Sequence, residues 1–384
     1  MSFDSVVKKV RAKQILDSRG KKTVEVQLTT GLGKFLASCP SGTSTGKYEA
    51  RTVEVKEALE NINRIIAPVL LGKSAANQKE VDKALDKKLG ANATLPVSIA
   101  VSRAGAKAKN IPLWKYISRI ARTKSQFPKP AVLLIEGGLH GKTELDIQEF
   151  MMIPEGRTFR EQFSTGKKIY EKLKKILRNK FGKKGVVTGL EGAFNPPISD
   201  VRAALDLIMA SARGYNVKVG LDYAASNIKK GKYNIAFYQK LVRDYPILFL
   251  EDPFGEEDWN KWEELNYKLK TTNYKLLVVG DDLTVTNSKR IRMAHRKMAC
   301  NAVIIKPNQI GTVSETIEAS LLAKSYGWKT IVSHRAGETK DDFIADFAVG
   351  IGADFIKAGA PSQKERMAKY NRLLRIEKEL RSAI

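Results

Sequence analysis

Six short apolar runs in the second half of the chain each stop at an ionisable side chain. Their β-branched, mainly apolar composition is typical of parallel strands that are buried on both faces. The ends of successive runs lie 23 to 30 residues apart, which leaves room for one crossover helix between neighbouring strands. The pattern therefore predicts a barrel of alternating strands and helices. The runs span residues 217–222, 247–251, 276–281, 302–306, 330–334 and 354–357.

The first third of the chain follows a different pattern. Residues from about 7 to 38 alternate between apolar and polar positions, as antiparallel strands do. Residues 39–46 are predicted to form a loop, because Gly, Ser, Thr and Pro dominate there. Together with three helices predicted from apolar spacing, these strands make a small α+β domain over residues 1–125. The predicted strands are 13–16, 23–30 and 34–38, and the predicted helices are 54–71, 78–90 and 94–109.

A basic, proline-containing segment over 122–130 leads into the barrel domain, predicted for residues 131–384. Residues 131–135 and 147–153 are predicted as its early strands. Residues 161–180 form an amphipathic pattern, with one apolar stripe and a face covered by lysines. That face is interpreted as the solvated side of a barrel helix or as a docking surface for an acidic partner. A charged helix over 362–382 closes this α/β fold.

The bulk composition is that of an ordinary globular protein. The chain has 384 residues, of which 43% are hydrophobic, and no apolar stretch approaches the roughly 18 residues of a membrane span. The N-terminus lacks the apolar core of a signal peptide, so a cytoplasmic address is predicted, with an organelle as the alternative. Cys39 and Cys300 are too few for a disulfide framework and are predicted to be buried, reduced thiols.

The charge balance is the unusual bulk feature. The 67 Lys and Arg residues against 41 Asp and Glu residues give a formal net charge of +26. A field of that sign favours anionic small substrates or an acidic macromolecular partner, such as nucleic acid, a ribosome-like particle or tubulin. The alternative is that the charge serves solubility alone.

Three of the strand-end residues are carboxylates: Asp222, Glu251 and Asp281. In a closed parallel barrel, the C-terminal strand ends converge on one cavity, so these carboxylates are expected to face a common space. Like charges that close need compensation, and Mg²⁺ prefers oxygen ligands. For each residue alone, the capping of a following helix is the alternative role.

The next three strands end at basic groups. They bring Lys306, then His334 with Arg335, and finally Lys357 to the same end of the barrel. An amine near a divalent cation and a second lysine is expected to have a lowered pKa, which suits a general base. The spacing thus favours a metal-assisted enzyme acting on an anionic substrate, with proton abstraction next to a carboxylate as one option.

Motifs distributed from about residue 7 to 380 resemble the enolase family, whose activity is that of glycolytic phosphopyruvate hydratase. The resemblance implies an enolase-type TIM-like barrel and a Mg²⁺-dependent dehydration of 2-phosphoglycerate to phosphoenolpyruvate. The motifs are LDSRG at 16–20, PSGTSTG at 40–46, QEFM at 148–151, EDPF at 251–254, GDDLTVTN at 280–287, KPNQIG at 306–311, VSHR at 332–335 and GAP at 359–361.

The resemblance also implies a role for each matching residue. Lys306 is the base, Glu191 is the acid with Glu149 beside it, and Lys357 assists at the substrate carboxylate. Crowding by other carboxylates is expected to raise the pKa of that acid. The metal ligands implied are Asp222, Glu251 and Asp281 for one ion, with Ser44 on the mobile loop helping to hold a second, so that one ion is structural and one catalytic.

The remaining implied contacts concern the substrate and the oligomer. Arg335 binds the phosphate, Ser44 closes over the substrate, and the pocket is lined by His140, Gln148 and His334. Family members also form a homodimer. Segments that they carry after Arg51, after Tyr233 and at the C-terminus are missing here, and parts of the first domain and of that C-terminal tail contribute to the dimer contact.

The sequence departs from the family pattern mainly around the acid. Leu190 and Ala193 flank Glu191 where the family has Asp and Gly, the loop from Glu136 to Thr143 is altered, and Ala336 replaces a serine. Two interpretations follow: a working enolase, or an enolase-like protein recruited as a basic structural subunit of an acidic assembly. A superfamily member acting on another acid is disfavoured, because Arg335 and the Ser44 loop are both present.

Overall fold

The computed structural model describes residues 3–43, 45–141, 143–228, 233–271 and 276–381. The chain begins with a three-stranded antiparallel sheet formed by β1 (Lys9–Leu16), β2 (Lys22–Thr30) and β3 (Gly33–Ser38), in that order. Val24, Val26 and Leu28 alternate with more exposed positions along β2 and are fully buried. The alternation read from the sequence is therefore confirmed.

Helices cover the inner face of this sheet. Residues 55–70 are helical throughout, as α1 (Val55–Glu60), a π-helical turn (Asn61–Ile66) and α2 (Ala67–Leu70), which agrees with the helix predicted over 54–71. The single helix predicted over 78–90 is wrong. It divides into α3 (Gln78–Lys83) and a 3-10 turn (Lys87–Leu89), because the Asp86 side chain caps a new start by accepting the N–H of Lys88.

The third helix, α4 (Ala91–Ala108), is buried on nearly every side, because it lies between the small sheet and the barrel. A further helix, α5 (Leu113–Ala121), was not predicted. The domain boundary placed between 125 and 131 stays a prediction, with α5 ending at 121 and the next strand beginning at 129.

Eight strands then close into a barrel. The six runs predicted as parallel strands all pair in parallel, which confirms that interpretation. Around the barrel the order is β10, β11, β4, β5, β6, β7, β8 and β9. The strands are β4 (Lys129–Glu136), β5 (Glu149–Pro154), β6 (Val217–Asp222), β7 (Ile247–Glu251), β8 (Leu277–Gly280), β9 (Ala302–Ile305), β10 (Lys329–Ser333) and β11 (Phe355–Lys357).

One strand runs the other way. β5 pairs antiparallel with both β4 and β6, so its first residue lies level with the last residues of its neighbours. The register places Glu136 opposite Glu149, Glu149 opposite Asp222, and Asp222 opposite Glu251. Four acidic residues on adjacent strands therefore lie at one level of the barrel rim.

Helices surround the barrel. Thr158 caps α6 by accepting the N–H of Glu161, and Ile169, Leu173 and Leu177 form its buried stripe, as predicted. Within the described chain, no helix is both long and apolar enough to cross a membrane. The helices are α6 (Phe159–Phe181), α7 (Val201–Ser211), α8 (Ile235–Asp244), α9 (Trp259–Thr271), α10 (Ser288–Arg296), α11 (Val313–Ser325), α12 (Phe343–Gly350) and α13 (Lys364–Arg381).

Both cysteines are buried, and no disulfide joins them, as expected. Burial raises the pKa of the Cys39 thiol to about 12, so it stays protonated at neutral pH. Cys39 therefore lacks the features of a reactive thiolate.

Candidate active site

The centre of the barrel rim is a buried cluster of carboxylates around one amine. The Lys357 Nζ lies 2.7 and 2.9 Å from the two carboxylate oxygens of Glu251, 3.0 Å from Glu149 Oε2 and 3.4 Å from Asp222 Oδ2. All four residues are at most 4% exposed. Burial, and then the neighbouring Asp222, raise the pKa of Glu251 well above its usual range. One ammonium thus contacts three carboxyl groups.

Asp281, the third predicted metal ligand, has different partners. Its carboxylate accepts hydrogen bonds from the Lys306 ammonium and, at 3.0 Å, from Gln309 Nε2. Burial, Arg335 and Lys357 each lower the pKa of Lys306, but contact with Asp281 outweighs them, so the pKa is raised. The lowered pKa was expected for an amine beside a divalent cation; with Asp281 as its neighbour, the ammonium form of Lys306 is stabilised instead.

A second group of carboxylates faces His140. Its Nδ1 lies 3.6 Å from Glu191 Oε1 and 3.8 Å from Glu149 Oε1. Burial raises the pKa of Glu149 to about 8, with Glu191 and Asp222 adding to the effect against Lys357. At neutral pH, Glu149 is therefore the protonated member of the pair.

Glu191 itself is ionised, contrary to the raised pKa expected for it. His334 Nε2 lies 3.0 Å from Glu191 Oε2, while Nδ1 of the same ring lies 2.6 Å from the Arg366 guanidinium. Because arginine can only donate, the proton of the neutral imidazole lies on Nε2, the nitrogen nearer to Glu191. Burial favours the neutral acid, but His334 and His140 outweigh it and lower the pKa of Glu191 well below its usual range.

The loop that carries Glu191 is tied to β4 by Glu136. The Glu136 carboxylate is fully buried and accepts the backbone N–H groups of Glu191, at 3.1 and 3.2 Å, and of Ala193, at 2.9 Å. Burial, followed by repulsion from Glu191, raises the pKa of Glu136 well above its usual range. The neutral form of Glu136 is therefore favoured, and its oxygens accept the hydrogen bonds that hold the position of Glu191.

Arg335, the predicted phosphate contact, is held from the N-terminal domain. Its guanidinium lies 3.0 and 3.1 Å from the two carboxylate oxygens of Glu49 and 3.1 Å from Asn308 Oδ1. A phosphate would therefore compete with Glu49 for Arg335. Ser44, predicted to close over the substrate and to help hold a second metal ion, lies outside the described residues.

Two polar atoms beside the acid pair point to a ligand. His140 Nδ1 and Gln148 Oε1 are both buried with no hydrogen-bond partner among the described residues. Burying a polar atom without a partner costs about 1–3 kcal/mol, so a hydroxyl or another polar group of a substrate is the natural partner for each. This placement fits the pocket-lining roles predicted for His140 and Gln148.

Among the described residues, two clusters of side chains could hold a metal ion. Within each cluster, potential ligand atoms lie within 4.8 Å of one another. The first comprises His140, Glu149 and Glu191, and the second comprises Asp252, Asp281 and Asp282. The predicted set of Asp222, Glu251 and Asp281 comes from adjacent strands, but Lys357 lies against the first two and Lys306 against the third.

The donor set nevertheless fits a hard divalent cation. The buried oxygens of Glu251 and its neighbours are those that Mg²⁺ prefers. Burial and the neighbouring Asp222 raise the pKa of Glu251 although Lys357 opposes them, so a cation would be stabilised there.

Several residues of the site have no counterpart among the sequence-predicted residues. Asp252 and Asp282 follow predicted ligands directly, so the doubled acids in the sequence were an available signal. The Asp252 carboxylate accepts the N–H groups of Asp281 and Asp282 at 2.9 and 2.7 Å, with a backbone φ of 41°. Arg366 and Glu49 gave no local signal, since their contacts join distant parts of the chain.

Comparison with protein families gives two matches that together cover nearly the whole chain. The model of the enolase N-terminal domain matches residues 7–117, and the model of the enolase C-terminal TIM barrel domain matches residues 124–237 and 234–384. The chain belongs to the enolase family. This confirms the resemblance read from the motifs and the fold class predicted with it, a small N-terminal domain followed by an enolase barrel. Membership in the enolase family points to a lyase-type enzyme acting on a small molecule.

Proposed function

We propose that this protein catalyses the Mg²⁺-dependent dehydration of 2-phosphoglycerate to phosphoenolpyruvate. The observation that carries the proposal is the position of acid and base around the barrel. Glu149 begins β5 and Lys306 follows β9, and these strands lie four apart in a closed ring of eight. The acid pair and the base therefore face each other across the mouth, with the carboxylates of β6, β7 and the β8 end between them.

That arrangement suits the loss of water across a carbon–carbon bond. The neutral Lys306 amine takes the proton from the carbon next to the substrate carboxylate, and the electron pair moves into an enolate. The neighbouring carbon then releases its hydroxyl, which takes a proton from the Glu149–Glu191 pair and leaves as water as the double bond forms. Mg²⁺ held by Asp222, Glu251 and Asp281 supplies Lewis-acid stabilisation at the substrate carboxylate when bound.

The protonation states of Glu149 and Glu191 support the roles proposed for the acid pair, whereas the base role of Lys306 depends on its contact with Asp281. Glu149 carries the one proton that the pair has to deliver, since its pKa is raised to about 8. Glu191, ionised beside it, relays that proton or receives it as the substrate binds. Lys306 can act as a base only when Asp281 no longer stabilises its ammonium. Activity therefore requires that the Asp281 carboxylate bind another group, such as the Mg²⁺ that it is proposed to hold.

The direct test is the formation of phosphoenolpyruvate from 2-phosphoglycerate, followed by absorbance. We expect product with Mg²⁺ present and none after chelation with EDTA, because the carboxylate cluster alone repels the substrate carboxylate. Restoring Mg²⁺ should restore the rate. A folded protein, verified by circular dichroism, that forms no product at any Mg²⁺ concentration would refute the proposed function.

A second prediction concerns Glu136. Replacing it with alanine removes the acceptor for the N–H groups of Glu191 and Ala193, so Glu191 loses its fixed position. We expect kcat to fall by about 10²-fold, the loss typical of a misplaced catalytic group, with a smaller change in KM.

The matched variant is Glu136→Gln, which resembles the neutral acid and keeps an acceptor oxygen, and it should retain most of the activity. Equal activity losses in Glu136→Ala and Glu136→Gln would show that the charge of Glu136, and not its acceptor role, is what matters.

Recruitment as a basic subunit of an acidic assembly is a second candidate function. The net charge of +26 and the lysine-rich face of α6 favour it. Because α6 lies on the outside of the barrel, such a role is compatible with catalysis.

A further inference from the structure

The strongest concentration of charge on the molecule lies on α6 and the turn after it. Between residues 167 and 184, nine basic side chains stand against one acid, Glu171, so 18 residues carry +8 of the net +26. All nine are exposed. This surface, called the α6 face below, comprises Lys167, Lys168, Lys172, Lys174, Lys175, Arg178, Lys180, Lys183 and Lys184.

The charges of the α6 face are not neutralised within the described chain. None of the nine forms an ion pair there, whereas exposed lysines elsewhere do, such as Lys13 with Glu25 and Lys329 with Asp354. Like charges three or four residues apart on a helix destabilise it by a few tenths of a kcal/mol per pair. A partner of opposite charge would remove this repulsion.

The chemistry of the surface narrows the class of partner. None of the large hydrophobic side chains found exposed in the described chain lies between 167 and 184, so the face lacks the apolar anchors on which protein interfaces depend. It also lacks free aromatic rings on which unpaired bases could stack, because Lys172 lies 4.6 Å over the ring of Tyr215 and Phe181 is partly buried. What remains is a row of point charges.

We propose that the α6 face binds the phosphate backbone of a nucleic-acid duplex without reading its sequence. The helical part of the face, residues 167–181, spans about 21 Å, and a duplex presents about 12 phosphates over that length. Lysine ammonium groups on flexible stems suit contacts with phosphates that do not require one fixed geometry. This binding gives the second candidate function a specific surface and partner, and it is independent of the proposed dehydration.

The test uses the full chain and a fluorescein-labelled duplex of about 20 base pairs, as RNA and as DNA, in an anisotropy titration between about 50 and 200 mM salt. With about six phosphates contacted, log K should fall with log salt at a slope of about −5. The same length of single-stranded RNA and a polyglutamate peptide of equal charge serve as competing partners.

Two variants with the same charge separate the α6 face from the general charge of the protein. One replaces Lys167, Lys168, Lys174 and Lys175 with glutamine, and the other replaces Lys8, Lys21, Lys22 and Lys34, which are exposed on the N-terminal domain. Each lowers the net charge from +26 to +22. We expect the α6 variant to bind the duplex at least about tenfold more weakly, with a salt slope smaller by about 3 to 4, and the control variant to bind nearly as tightly as the parent protein.

Three results would overturn the proposal: no duplex binding at low salt, equal losses in the two variants, or binding of the peptide or single strand as tight as that of the duplex. Both variants should keep the dehydration activity of the parent protein, since their substitutions lie outside the barrel mouth. A protein that binds the duplex yet lacks activity would therefore refute only the proposed dehydration.

Discussion

Replacing Lys306 with alanine is expected to lower kcat for the proposed dehydration by about 10²- to 10⁴-fold, the usual contribution of a positioned general base. Lys306 follows β9 across the mouth from Glu149 and contacts Asp281. Lys357, the other lysine at the described barrel rim, cannot replace it as the base. Its ammonium already contacts Glu149, Asp222 and Glu251. The measurement is steady-state formation of phosphoenolpyruvate.

The informative control is Lys306→Arg. A guanidinium keeps the positive charge against Asp281, so the folded state should be retained, but it does not give up its proton at accessible pH and cannot act as a base. Both variants should therefore be inactive, and the arginine variant should unfold near the temperature of the parent protein. Activity close to that of the parent in either variant would remove Lys306 from the mechanism.

Replacing Lys357 with methionine is expected to destabilise the protein by about 3–5 kcal/mol, the range measured when one partner of a buried ion pair is removed. The substitution leaves the acidic groups of Glu149, Asp222 and Glu251 in a buried site without the amine that contacts all three. The free energy of unfolding, measured by urea denaturation without divalent ions, reports the effect directly.

Lys329→Met is the matched control. Lys329 also pairs with a carboxylate, at 2.8 Å from Asp354 Oδ1, but its side chain is 52% exposed, so its loss should cost less than about 1 kcal/mol. Added Mg²⁺ should restore part of the stability of Lys357→Met, because a cation that binds only the folded state shifts unfolding by mass action. Equal stabilities for the two variants would contradict the role assigned to Lys357.

The protonation states of the two acids, Glu149 and Glu191, could not be predicted from the sequence. The sequence placed Glu191 and Glu149 together, and the structure does bring both within reach of His140. It could not give their proton states, because these depend on which groups surround each carboxylate. His334 and Arg366 come from other parts of the chain and lower the pKa of Glu191, so it stays ionised. Burial raises the pKa of the neighbouring Glu149, so it is protonated at neutral pH.

The antiparallel direction of β5 could not be predicted from the local pattern of apolar residues either. An apolar run predicts a strand but not its direction, since direction follows from how the chain returns to the sheet. This one reversal places Glu149 at the rim instead of the barrel floor.

The sequence by itself determined the strands, the repeating unit and the chemical type of nearly every rim residue, because apolar runs and their ionisable ends are local features. Asp222, Glu251, Lys306 and Lys357 follow directly from that pattern. The tertiary structure alone decided the pairings: Lys357 among three carboxylates, Lys306 on Asp281, Glu49 on Arg335 and Glu136 beneath the Glu191 loop. Pairing energies and pKa values depend on distances of a few ångströms between residues far apart in sequence, and only the closed barrel sets those distances.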